Sequence, residues 1–250
     1  MGLKYVFSTD LDDPQTTVKH RDIILAKSFL KRIYVQWYQN FVDEVKKNPS
    51  GKYIEIGSGG GFLKDLIPNV ITSDIMKLPH VDMEFSAEKM PFKDNELDGI
   101  FMVNVLHHIP RPHMFFKEAE RTLKPGGKII MVEPVNTPVS RFIYKHFHHE
   151  PFLPDGGWEI ASTGPLSGAN GAIPYIYMIR DRKKFEKEFP LLRIEKIQKH
   201  TALLYTVSGG VSRKNLVPEW SFGFWKAAEK FPGMPWFSGM LGTYVVQKQS

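Results

Sequence analysis

The sequence predicts an α/β fold built on a mostly parallel sheet, with residues 1–250 forming one domain. Three observations predict it. Between residues 50 and 135, short apolar runs alternate with turns and with helical periodicity. The first of these runs, Lys52-Tyr-Ile-Glu-Ile56, feeds directly into Gly57-Ser-Gly-Gly-Gly61. A glycine turn after a strand leaves bare backbone N–H groups beside the sheet's carboxyl edge. The chain then closes on Gly242–Lys248, an alternating Thr-Tyr-Val-Val-Gln stretch that reads as a strand.

A chain of 250 residues with 42% hydrophobic content can bury a full α/β core. It contains no cysteine, which excludes disulfides and thiolate metal sites and fits a reducing cytoplasm. The polar, acidic stretch from Met1 to Asp13 lacks the order of a signal peptide. No apolar run approaches the roughly 20 residues that cross a bilayer. The formal charge of +6 is dispersed along the chain and reads as a solvated surface.

Taken in order, Thr17–Lys47 predicts one or two helices, with Ile23, Leu30, Ile33, Trp37, Phe41 and Val45 at three- and four-residue steps. Asn48-Pro-Ser-Gly51 stops the pattern. After the strand ending at Ile56, Gly57, Gly59 and Gly61 fill E-x-G-x-G-x-G with Glu55, and Phe62–Leu66 turns helical. Glu55 lies inside a buried strand, where a carboxylate needs a partner. Backbone N–H groups or a cofactor ammonium would supply one, and S-adenosylmethionine carries such an ammonium whereas a pyrophosphate dinucleotide does not. Val70–Asp74 is a second strand ending in an acid, close to the roughly 20-residue spacing expected of a ribose-binding carboxylate. Val81–Phe85 reads as the third strand and Leu97–Val103 as the fourth, running into Asn104-Val-Leu-His-His-Ile109. A helix is expected from His113 to Leu123, ended by a left-handed glycine cap in Lys124-Pro-Gly-Gly127. Lys128–Glu133 makes the fifth strand.

This run of motifs resembles the class I S-adenosylmethionine-dependent methyltransferases, in the broad group that includes the ubiquinone-biosynthesis enzymes (methyltransferase type 11). Glu55-Ile-Gly57-Ser-Gly59-Gly-Gly61 is similar to their first motif. Leu106-His-His-Ile109 and Leu123-Lys-Pro-Gly-Gly127 are more specific and continue the match over residues 50–135. The resemblance implies a Rossmann-like seven-stranded sheet, helices on both faces, and a last strand inserted antiparallel beside the fifth. It implies S-adenosyl-L-methionine as cofactor and S-adenosyl-L-homocysteine as product. The implied cofactor contacts are Glu55, Gly57, Ser58, Gly59, Gly61, Phe62, Asp74, Ser86, Ala87, Glu88, Asn104 and Val105. Ser86 stands where the family usually has an adenine-binding acid, with the backbone N–H of Ala87 meeting the ring. Residues 1–48 become a helical lid in this light, with His20, Arg21, Lys27, Tyr34 or Tyr38 near substrate.

Beyond Glu133 the rhythm breaks. Arg141–Glu150 reads as a helix, Arg182–Phe189 as another, and Leu192–Gln198 as a strand. The irregular stretches 135–180 and 201–240 are expected to cover the substrate. Within them, Trp158, Tyr175, Tyr177, Trp220, Phe222 and Trp225 offer either a flat wall for an acceptor or core packing.

The expected chemistry is O-methylation of a small-molecule acceptor such as a sugar, quinone or lipid. A base adds about 10²–10⁴ for a hydroxyl nucleophile, and His107 is the first candidate. His148 and His149 are further candidates, and His146, His149 and Glu150 would share a helical face. No metal is expected. A cofactor-binding subunit without turnover and an RNA-modifying enzyme are the alternatives. A nucleic-acid partner is not expected, because a dense basic stripe is missing.

Overall fold

The computed structural model describes residues 10–148, 150–161, 164–200 and 203–250. Its sheet has seven strands: β1 (Tyr53–Ile56), β2 (Ile71–Asp74), β3 (Met83–Glu84), β4 (Leu97–Val103), β5 (Leu123–Pro134), β6 (Leu192–His200) and β7 (Leu241–Lys248). Their order is β3-β2-β1-β4-β5-β7-β6. The first five pair in parallel, and β7 runs antiparallel to both β5 and β6. Strand order reverses between β1 and β4, the switch point where open α/β sheets leave a crevice.

The pleat divides the core into two layers. Ile54, Ile56, Ile100, Met102, Ile129 and Met131 face α3 (Pro112–Thr122) together with the buried turn through Ile173, Ile176 and Tyr177. Tyr53, Phe101, Ile130 and Val132 face α1 (Pro14–Ala26) and α2 (Ser28–Val45). Phe41 of α2 stacks on Phe101 with ring centroids 4.7 Å apart. Glu55 falls on this second face by alternation, which places a carboxylate beneath the N-terminal helices.

Several expected elements differ. Phe62–Leu66 gives only a 3₁₀ turn at Leu63–Asp65. Pro68 disfavours helical backbone at Ile67, so the segment stops after one turn. β3 shrinks to two residues. The glycines after α3 do not cap it: Leu123 is already extended and opens β5, pairing with Leu97. Gly126 instead takes φ +83° where the β4–β5 register slips. α4 (Pro138–Phe147) starts on a capping box between Thr137 and Ser140 and ends before His148, whose backbone is extended. Residues 146 and 150 therefore share no helical face. The stretch 201–240 contains α7 (Leu204–Ser208), α8 (Phe222–Ala228) and α9 (Met234–Ser238), after α5 (Ile173–Tyr175) and α6 (Arg182–Glu188). Among the described residues, no helix is long and apolar enough to cross a membrane.

Candidate active site

A cavity of about 1170 Å³ opens over the carboxyl edge of the sheet. Its floor is the loops after β1, β2, β3 and β4, with α1, α4 and the turn at 205–213 above. Glu55, Gly57, Ser58, Gly59, Gly61, Asp74, Ser86, Ala87, Glu88, Asn104, Val105 and His107 all line it. Phe62 does not. Its buried ring packs with Tyr34 and Tyr38, and its N–H donates to the Tyr38 hydroxyl at 3.1 Å.

The glycine requirement is steric at both ends of the loop. Gly57 takes φ +64°, and a Cβ there would lie 2.5 Å from a methyl of Val105. Gly61 has ordinary backbone, yet its Cβ would meet the Tyr38 hydroxyl at 2.6 Å. Glu55 is 2% exposed and accepts from the Ser58 hydroxyl at 2.8 Å. Burial pushes its carboxyl up to about 8, against the opposing pull of Ser58 and Arg21, with the Asp74 carboxylate adding to the rise. Asp74 accepts from the N–H of Gly59 and of Met76, each at 2.9 Å, and so holds the loop it is expected to work with. Burial raises its pKa as well.

Sequence reading missed Thr17. Its hydroxyl is buried and has no hydrogen-bond partner among the described residues, and it lines the cavity beside Gly59. Together with Glu55 and the loop backbone, it gives this end of the cavity both hydrogen-bond donors and acceptors, the set that an amino-acid group such as that of S-adenosylmethionine would need. An unpaired buried hydroxyl costs free energy until a ligand satisfies it. At the other end, the Ser86 hydroxyl accepts from Glu88 N–H at 3.2 Å, while the Glu88 carboxylate grips Arg111 through its backbone N–H and guanidinium.

After β4 the chain turns sharply. Asn104 sits in the left-handed region at φ +56°, a strained position that clusters at functional sites. The turn is fixed from behind by Glu133 at the end of β5. One of its oxygens accepts from the N–H of Val105 and of Leu106, both at 2.7 Å, and the other meets His107 Nδ1 at 2.6 Å. No sequence signal marked Glu133 as more than a strand end.

His107 is 2% exposed and lies between two carboxylates, with Nε2 3.4 Å from Glu150. Burial works against its charge, but Glu133 and Glu150 outweigh burial and push the imidazole up to about 10. His108 is pushed the other way, to about 4, by burial and then by the charge on His107. Glu150 stays well below the usual carboxylate range: its burial is overcome by His107, His108 and His148. The two carboxylates thus favour the protonated imidazole, with a ring nitrogen facing each.

His148 lines the cavity from the end of α4, with Nδ1 3.8 Å from Glu150. His149 lies outside the described residues. The expected aromatic wall is absent from the cavity. Trp158 and Tyr177 pack against each other on the α3 face, Phe222 packs on Phe29, and Trp220 is exposed to solvent. Tyr34, Tyr38, Phe85, Tyr144, Phe147, Phe152 and Tyr205 line the cavity in their place. Of the N-terminal candidates, His20, Tyr34 and Tyr38 reach it. Lys27 instead donates to the carbonyls of Ser208, Gly210 and Arg213 at 2.6–2.7 Å, tying α1 to the turn above the site.

Residues 54–131 match a family model described as a methyltransferase domain. The chain is 30% identical over 141 residues to a demethylmenaquinone methyltransferase of Symbiobacterium thermophilum, covering 56% of this chain and 54% of that one. It is 30% identical over 108 residues to a ubiquinone/menaquinone biosynthesis C-methyltransferase of Rhizobium rhizogenes, covering 42% and 38%. The chain thus spans about half the length, or less, of these curated relatives. In three dimensions it is similar to the geranyl diphosphate C-methyltransferase of Streptomyces coelicolor, with TM-score 0.53 and 13% identity over 99% of this chain and 91% of that one.

Proposed function

We propose that this chain, a class I S-adenosylmethionine-dependent methyltransferase by its fold and its 54–131 domain, methylates an oxygen of a small-molecule acceptor. The observation that supports this best is that the glycine loop with Asp74 and the His107–Glu150 pair face the same cavity. A volume of about 1170 Å³ leaves room for an acceptor beside the cofactor. When bound, S-adenosylmethionine supplies a methyl made electrophilic by its sulfonium.

The chain's own residues do the rest. The glycine loop, kept free of side chains, makes room for the amino-acid end beside Thr17 and Glu55, and Asp74 takes the ribose hydroxyls in a bidentate contact. Asn104 and Val105 bring backbone against the reacting end. Alignment supplies much of the rate. Bonding of the acceptor oxygen to that methyl would leave the carbon–sulfur pair on sulfur. The oxygen becomes strongly acidic at that moment, so a weak carboxylate base suffices. Glu150, facing the cavity, takes that proton, and charged His107 holds Glu150 in place. The base is therefore the pair rather than a free His107.

C-methylation is a second reading, favoured by the similarity to a ubiquinone/menaquinone biosynthesis C-methyltransferase. A tritiated-methyl transfer screen over quinones, sugars, lipids and tRNA tests both, with the product assigned as O- or C-methyl by NMR. Asp74→Ala should weaken S-adenosylhomocysteine binding by about 10–100-fold, the loss of a charge-assisted contact. Unchanged calorimetric affinity would remove Asp74 from the ribose role.

A further inference from the structure

We propose that His107, His108 and Glu150 form a binding site for one divalent transition-metal ion, of the zinc or ferrous class, at the acceptor end of the cavity. One donor atom from each lies within 4.8 Å of the others. His107 Nε2 is 3.4 Å from one Glu150 oxygen, and His108 Nε2 is 3.6 Å from the other. A tetrahedral ion with bonds of about 2.0–2.2 Å separates its donors by roughly 3.3–3.6 Å. The gap between imidazoles and carboxylate therefore already has the span of a coordination edge.

Orientation is the stronger argument. Histidines that bind metals characteristically engage their second ring nitrogen with a carboxylate or backbone carbonyl. Both of these do. His107 Nδ1 meets Glu133 at 2.6 Å, and His108 Nδ1 meets the Gly168 carbonyl at 3.2 Å. Each ring is thereby fixed with Nε2 towards the same carboxylate. Glu133 is fully buried and also anchors the Val105 and Leu106 amides, so the His107 ring has little freedom to turn away. Two imidazoles and one carboxylate suit zinc or ferrous iron better than magnesium or calcium, which prefer oxygen donors. All three residues line the cavity, so a remaining coordination position faces the acceptor.

What the ion would do rests on the methyl-transfer reading. Coordinated to a hydroxyl or enolisable carbonyl, it lowers the pKa of the acceptor and orients it. With the ion bound, His107 gives its Nε2 proton to solvent, Glu150 serves as a ligand instead of a base, and the acceptor's proton also leaves to solvent on coordination. Metal binding itself does not depend on that reading.

The test uses the untagged full chain, stripped with chelator and titrated with Co²⁺ while visible absorbance is followed, then with Zn²⁺ in competition. One ion per chain is expected. Affinity should fall more than 10-fold in Glu150→Gln and in His108→Gln, and by about 10–100-fold in Glu133→Gln, which positions His107 and the Val105–Leu106 turn without touching the ion. His146→Gln, outside the cavity, should change nothing. Circular dichroism checks folding, and His108→Gln decides if Glu150→Gln fails to fold. No saturable Co²⁺ binding by the wild type, or a signal unchanged in His108→Gln, overturns the site. S-adenosylhomocysteine binding, measured on the same samples, separates the two readings: cobalt binding without it removes the methyltransferase reading alone.

Discussion

Binding of S-adenosylhomocysteine should release a proton from Glu55. The free carboxyl is buried among Tyr38, Ser58 and the glycine loop, and its pKa lies near 8. At pH 7 about nine molecules in ten therefore carry the proton. A ligand ammonium placed against Glu55 favours the carboxylate, so the proton must leave as the ligand enters. The sign follows from linkage: the free protein binds more protons than the complex, so affinity rises with pH below 8. Between pH 6 and pH 7.5 the rise should be about 25-fold, with about 0.9 proton released at pH 7. Calorimetry in two buffers of different ionisation enthalpy measures both. Glu55→Gln should bind with a flat pH profile and no release. Asp74 and Arg21 are the other charged groups near this carboxyl, and Asp74 is also raised by burial. A release that persists in Glu55→Gln would assign the proton to Asp74 and refute the role given to Glu55.

Three further outcomes follow from the geometry. Gly61→Ala should destabilise the chain by about 1–3 kcal/mol and abolish cofactor binding, because its Cβ would lie 2.6 Å from the Tyr38 hydroxyl and 2.8 Å from the Ser58 carbonyl. Tyr38→Phe, combined with it, should recover part of the thermal stability. Glu133→Gln should cost about 3–5 kcal/mol, since it leaves a buried imidazolium without its nearest carboxylate. Thermal denaturation would show this at about 2–4 °C per kcal/mol. Lys27→Met should leave the melting temperature nearly intact but speed hydrogen exchange across residues 204–213, where three carbonyls lose their shared donor.

The sheet and the loops at its carboxyl edge were legible because their signals are local. Ile54 and Ile56 alternate with Tyr53 and Glu55. The glycines sit where a strand must turn, and β4 follows from an unbroken apolar run. Asp74 could be found by counting from the glycines. Where an adjacent residue overrode the local signal, the sequence misled: Pro68 cut the helix expected after the loop, and the extended backbone at His148 separated the second histidine cluster.

The amino-acid order by itself determined the strand and its glycine turn, the acid after β2 and the paired histidines after β4, because backbone sterics and apolar period act over a few residues. Only the tertiary structure decided which groups those histidines meet. Glu133 reaches His107 across 26 positions of chain and Glu150 across 43, and burial makes those carboxylates count. The same holds for the orphaned hydroxyl of Thr17 and for the aromatic residues at the cavity wall, since period and composition carry no record of which buried groups meet.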